Sequence, residues 1–343
     1  MELDPRIGEI LNKSSTYLII CSPPDEDALA SLLIMKHILE SKGKKVRAIS
    51  QRSVSELFSF VPFVNEVEIA DPVGFDYSGI ECIIAVDAGA LSRIVGQKDA
   101  ATFAFPQHIP VISIDHHEGN TKFTDLMIYD EHASSTVELI YQYFIHPLDE
   151  TQGYMTYSLS SDEAMLLLFG LIGETRNFKW SMSKHVFFIA QKLIDAGADN
   201  YFLINNMHFN RKRDLHTFIC YAAPKIEFFD DVHATLLLLT QEDIQKMGID
   251  FSSKDDYTTH FHQMFSGVYA GYPLSGILIE YPDSISGSFR ANSYENKIDL
   301  PTLLQMVTPI AGGHKDASGM TVTGKNITEV KEAVLQALRS YVS

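Results

Sequence analysis

Apolar runs of strand length alternate with longer stretches of helical period along the first two hundred residues. Residues 17–21, 81–86 and 111–114 read as buried strands, and 45–49 as a further one. Between and after them, 28–41, 134–144, 162–172 and 184–196 carry the spacing of helices, the last stopped by Gly197. Strand and helix in turn predict an α/β fold around a parallel sheet. From Asp199 to about Pro224 the character changes to a polar, partly basic and partly helical stretch. Beyond it come strands at 234–240, 276–281 and 287–292 and helices at 241–247, 300–307 and 328–342. The expected organisation is a domain at 1–197, a linker at 198–224 and a second, smaller α/β domain at 225–343, facing the first across a cleft.

The polar residues that interrupt this pattern are not scattered. The strand at 111–114 runs into Asp115, His116 and His117, and the strand at 81–86 runs into Asp87. The first strand is followed by Ser22-Pro23-Pro24-Asp25-Glu26-Asp27, which places Asp25 and Asp27 in a crossover loop above the sheet. In a parallel sheet those carboxyl ends open into the crevice where ligands bind. The same acids also suit an ordinary helix N-terminus, so each motif alone leaves both readings open. Three successive strands delivering acids or imidazoles to one edge favour a site.

Other candidates are less constrained. Arg93 could cap its turn or reach an anion, and Glu174 could add a ligand, with Arg176 as a phosphate contact or its partner. Ser134, Ser135 and Thr136 should cap a helix whose amides would also suit a phosphate. Gly312-Gly313-His314-Lys315 could let backbone approach an anion, or form a turn before a strand. His208, His216, His260 and His262 lack acid or cysteine neighbours at ligand spacing, and Trp180 reads as packing.

Composition narrows the chemistry. The 343 residues carry a formal net charge of −17, which argues against a surface that tracks long duplex nucleic acid. An anionic substrate would then be met by local positive charge, most simply metal ions. Three dispersed cysteines, Cys21, Cys82 and Cys220, suggest a reducing compartment. With no basic, apolar leader and no run of membrane-spanning length, the expectation is a cytoplasmic protein without a membrane partner.

Taken in order, Asp25-x-Asp27, Asp87, Asp115-His116-His117, Glu174-Thr175 and Gly312-Gly313-His314 resemble the DHH phosphoesterase family, in particular its nanoRNase and pAp phosphatase branch, often labelled exopolyphosphatase-related. The resemblance implies a hydrolase that cleaves short oligoribonucleotides or small nucleotides such as pAp and linear dinucleotides by a two-metal-activated water. It implies two divalent ions, most often manganese, with magnesium, cobalt or zinc as alternatives. Asp25 and Asp87 would hold the first ion, and Asp27, Asp87, His116 and Glu174 the second. His117 would face the phosphate and Asp115 would orient its neighbours. Arg290 and the turn at Gly312, Gly313 and His314 would bind the nucleotide end. Two positions depart from the pattern: Cys21 stands where the family has a histidine ligand, and Glu174 where it has aspartate. The alternatives are a catalytically weakened nucleotide binder and a polyphosphate hydrolase, and a homodimer is compatible with either.

Overall fold

The computed structural model describes residues 3–342 except 97, 149–151, 181, 210–212, 250, 252–253 and 293–297, together with the side chains of all described residues but 254–256, 314 and 342. The chain divides into two compact units, one up to Asn210 and one from Arg211 onward. The break falls inside 198–224, a stretch that is largely helical.

Unit one contains, in chain order, α1 (Pro5–Lys13), β1 (Thr16–Cys21), α2 (Glu26–Ser41), β2 (Lys45–Ser50), β3 (Glu68–Ile69), β4 (Cys82–Val86), α3 (Leu91–Val95), β5 (Val111–Asp115), β6 (Leu126–Tyr129), α4 (Thr136–Ile140), α5 (Ser161–Glu174), α6 (Val186–Asp195) and α7 (Asn200–Ile204). Its six strands are all parallel and lie in the order β3-β2-β1-β4-β5-β6. Strand order reverses between β1 and β4, so the loops after them leave in opposite directions and open a crevice there. Tyr17, Ile19 and Cys21 of β1 face a core shared with α2, α4 and α5, while Leu18 and Ile20 face a second core that includes Ile94 and Val95 of α3. Burial on both faces explains why these strands read as continuous apolar runs rather than alternating ones.

Unit two comprises α8 (Arg213–Ala222), β7 (Ile226–Phe229), β8 (Ala234–Leu239), α9 (Gln241–Met247), α10 (Lys254–Phe265), β9 (Leu274–Glu280), β10 (Ser284–Ala291), α11 (Leu300–Gln305), β11 (Ala311–His314), β12 (Ala317–Thr323) and α12 (Ile327–Val342). The sheet order is β11-β12-β10-β9-β8-β7, antiparallel except for the β8–β9 pair. One face packs on α11 and α12, the other on α8, α9 and α10. Gly312 and Gly313 lie in edge strand β11 rather than in a turn, paired with Gly319 and Ser318. Gly313 has φ +144°, and a Cβ there would come within 2.5 Å of the Ala317 carbonyl, so only glycine fits the pairing. No described helix is long and apolar enough to cross a membrane.

Candidate metal centre

Cys21 pairs with Val86 and Val86 with Ile114, so β1, β4 and β5 end side by side and the segments after these strands meet at one edge. Asp25 is the N-cap of α2, with its carboxylate accepting from Ala28 N at 3.0 Å. The helix therefore begins earlier than the apolar spacing implies. Asp27 sits in its first turn rather than in the loop, buried, while Asp25 stays exposed.

Asp27 is fixed from across the crevice. Its two oxygens accept the backbone amides of Thr136 (2.6 Å) and Val137 (2.9 Å), the first residues of α4. These are the amides expected to suit a phosphate; a side chain already fills that role, because a buried carboxylate is stabilised by the unpaired donors of a helix start. The Thr136 hydroxyl donates to Asp87 Oδ1 at 2.9 Å. Thr136 thus holds two of the expected ligands at once. Ser135 caps α4 by accepting from Glu138 N, as expected, and buried Glu138 accepts from Ser134 and from Ser183 Oγ.

Asp87 follows β4 with φ +54°, a left-handed backbone that aspartate tolerates better than most residues. His116 Nδ1 donates to the Ala133 carbonyl at 3.3 Å, which turns Nε2 toward Asp27 (3.6 Å), Asp87 (3.7 Å) and Glu174 (3.9 Å). Nε2 is buried and makes no hydrogen bond. Burial holds this imidazole below its usual pKa against the pull of Asp87, so it presents a lone pair to three carboxylates. A buried lone pair facing acid oxygens is unfavourable unless a cation lies between them. Among the described residues, Asp87, His116 and His117 bring one donor atom each within 4.8 Å of one another, a set that fits a divalent metal.

The charges agree with that fit. Burial, then repulsion from Asp87 and Glu174, pushes the Asp27 carboxyl well above the usual range. Burial would raise Asp87 as well, but His117, His116 and the Thr136 hydroxyl outweigh it and hold it low. Glu174 is pushed up to about 7 by desolvation and by Asp87. For His117, burial is outweighed by Asp87 and by the Asp115 hydrogen bond, which raise it to about 9.

Asp115 is fully buried and accepts from His117 Nδ1 (2.6 Å), His117 N (3.2 Å) and Asn120 Nδ2 (2.5 Å). Both of its oxygens are therefore occupied in orienting the His117 ring. Gly89 lets this ring close over the turn after β4, since a Cβ there would lie 3.1 Å from His117 Cβ.

Glu174 ends α5, and two glycines bring it in. A Cβ on Gly170 would lie 2.7 Å from Ala30 Cβ, and one on Gly173 would lie 2.2 Å from Glu26 Cβ. Only without those atoms can α5 lie against the first turns of α2, beside Asp27. Asn120, Gly170 and Gly173 are not apparent as site residues from sequence, and Thr136, expected only at a capped helix start, proves to hold Asp27 and Asp87; the glycines in an apolar helix are the signal available.

Of the remaining candidates in unit one, Cys21 is not among the donors of that set. Cys21 is buried in the apolar core and burial pushes its thiol far up, with Asp87 and Asp25 adding to the shift. Arg93 is exposed on α3. Arg290 lies on β10, where its Nη1 donates to the Phe289 carbonyl at 2.9 Å, and Gly312 and Gly313 lie on β11, all in unit two. The side chain of His314 lies outside the described residues.

Residues 16–171 match the model of the DHH family, N-terminal domain. The chain is 23% identical over 336 residues to a bifunctional oligoribonuclease and PAP phosphatase, NrnA, of Thermus thermophilus, spanning 97% of this chain and 92% of that protein. It is 21% identical to the cyclic-di-AMP phosphodiesterase PdeA of Listeria monocytogenes, over 93% of this chain and 46% of that one. An exopolyphosphatase-related protein of Bacteroides fragilis shares the fold with a TM-score of 0.83 at 22% identity, covering 98% of this chain and 95% of the other. Residues 16–171 accordingly form a DHH family N-terminal domain, and the chain over nearly its full length is similar to these relatives.

Proposed function

We propose that the chain is a metal-dependent phosphoesterase that hydrolyses short oligoribonucleotides or small nucleotides such as pAp and linear dinucleotides. The observation that carries this reading is the buried, unpaired His116 Nε2 facing Asp27, Asp87 and Glu174 at the reversal point of the sheet. The substrate class is that of the NrnA relatives, one of which aligns over nearly its full length.

In this reading Asp27, Asp87, His116 and Glu174 would hold one divalent ion, and Asp25 and Asp87 would serve a second. An oxygen-rich set with imidazole suits manganese. Such ions supply positive charge to the phosphate and ease deprotonation of water near neutrality. Thr136 keeps Asp87 ionised through its hydroxyl and Asp27 aimed inward through its amide. As a water oxygen bonds to phosphorus and gives up a proton to solvent, the ester P–O bond breaks and the leaving oxygen takes the Nε2 proton of His117, whose pKa is raised by Asp87 and by the Asp115 hydrogen bond. Asp115 keeps the ring oriented through Nδ1 and stabilises its charge until that transfer. The residues Arg290, Gly312, Gly313 and His314 are assigned to the nucleotide end, and Arg93 to the substrate.

The test is hydrolysis of a short RNA, pAp, a linear dinucleotide and polyphosphate by chelator-stripped protein reloaded with manganese, magnesium, cobalt or zinc. Release of mononucleotide or phosphate from the nucleotides supports the reading, and no turnover with any ion overturns it. A second reading, a nucleotide binder with weakened catalysis, is favoured by one observation, the core position of the Cys21 thiol. It predicts ligand binding that survives Asp87→Ala and no metal-dependent turnover.

A further inference from the structure

The helix that delivers Glu174 stops in an unusual manner. Arg176 N donates to the Gly173 carbonyl at 3.1 Å and Asn177 N to the Ile172 carbonyl at 2.9 Å, the paired bonds of a Schellman stop after the cap Thr175. Arg176 therefore occupies the position that glycine normally takes, at φ +47°, where a Cβ is crowded by the neighbouring peptide. Asn177 and Phe178 continue the left-handed run at +60° and +59°. Those two have local anchors. The Phe178 ring stacks on Phe187 with centroids 5.7 Å apart, and Asn177 Nδ2 lies 2.8 Å from His208 Nε2.

Arg176 has a different environment. Its side chain is exposed and its guanidinium lies over the Trp180 ring, 5.2 Å from the centroid. Among the described residues it forms no ion pair, in a chain with 44 acidic residues and only two residues past a member of the acid cluster. Its charge nevertheless acts on both Glu174 and Glu26, favouring their ionised forms. A cation braced on an aromatic face, and left with its hydrogen-bonding fork free at the rim of a metal site, is suited to a phosphate.

We propose that Arg176, braced on Trp180, is a phosphate-binding arm of the site, receiving an oxygen of the phosphate next to the bond being cleaved. Backbone strain at a residue that glycine would relieve is retained because the side chain is needed there. The assignment rests on the phosphoesterase reading and adds a substrate contact that the acid and histidine motifs do not include.

The variant to make is Arg176→Gly, because glycine suits the backbone and should fold. With the dinucleotide pApA as substrate, KM should rise roughly tenfold or more, the loss expected for one charge-assisted hydrogen bond. Manganese affinity should stay unchanged, and the melting temperature of metal-free protein should rise by about 2–4 °C as strain is relieved. An unchanged KM overturns the proposal, and so does a KM change accompanied by lost manganese affinity, which would make Arg176 a structural residue. If wild-type protein leaves pApA, short RNA and pAp all intact with every ion, the phosphoesterase reading fails separately. Trp180 is the chain's single tryptophan, so its fluorescence under titration with pAp then decides. Saturable change in wild type that is lost in Arg176→Gly supports the arm, and no such difference overturns it.

Discussion

Replacing Thr136 with valine is the most informative single perturbation of the candidate centre. Valine keeps the shape and β-branching of threonine, and the backbone amides that hold Asp27 do not depend on the side chain. The substitution removes one hydroxyl donating to Asp87 Oδ1 at 2.9 Å. Both residues are buried, at 0% and 2% exposure, so water cannot replace the donor. A hydrogen bond to a charged acceptor in such a place is worth about 1.5–3 kcal/mol. Part of that is lost from the metal-free protein as well, since Asp87 becomes easier to protonate, and the remainder emerges as weaker metal binding. Loss of a partner to a metal-binding carboxylate generally costs about 10–100-fold in affinity. Isothermal titration of chelator-stripped protein with manganese should show that loss in Thr136→Val, and Thr136→Ser should recover most of it. An unchanged dissociation constant in the valine variant would refute the assignment of Asp87 as the shared ligand held by Thr136.

The same geometry predicts four further outcomes. Gly173→Ala should weaken metal binding and destabilise unit one by about 1–3 kcal/mol, read by titration and denaturant unfolding, because a Cβ 2.2 Å from Glu26 Cβ forces α5 off α2. Asp115→Asn should lower kcat on a nucleotide substrate by about 10²–10⁴-fold with manganese affinity largely kept, since it removes the charge that keeps His117 protonated and turns one of two accepting oxygens into a donor facing His117 or Asn120. Manganese affinity should rise with pH through about 7, where Glu174 loses its proton in the metal-free site. The raised Glu174 pKa also means that its contribution to the stability of metal-free protein is present below the ordinary carboxylate range and lost as pH rises through about 7, so melting should fall across that window and recover when manganese is added. Affinities measured at about pH 6 and 8, on either side of that pKa, and melts with and without metal, check both.

How much of this the sequence disclosed depended on the kind of signal. Buried strands with acids at their ends were plain, because a parallel sheet covered on both faces writes itself as apolar runs: 17–21 against Thr16–Cys21, and 111–114 against Val111–Asp115. The start of α2 was misplaced because its first turn is held by the Asp25 side chain rather than by apolar spacing. Edge strand β3, with two exposed residues, and β6, with half its positions partly exposed, carried no run to find. Helix α10 is largely polar and carries no apolar run that marks it. At the site, the acids and histidines were legible by residue type. Their supports were not, since Thr136 acts through a hydroxyl 49 residues from Asp87, and Gly170 and Gly173 act by what they lack. The strand containing Gly312 and Gly313 shows the opposite error, where glycines that suggest a turn serve close antiparallel pairing.

The central claim is that the Asp87 and His116 cluster binds a divalent metal and that phosphoester hydrolysis depends on it. The direct measurement is metal content and manganese-dependent hydrolysis of a short RNA and of pAp on one sample, for wild type and for Asp87→Ala. The account predicts stoichiometric metal and turnover in wild type, both abolished by chelation and by the substitution. Turnover that persists in metal-free Asp87→Ala, or stoichiometric metal in wild type with no hydrolysis of either substrate, would contradict it.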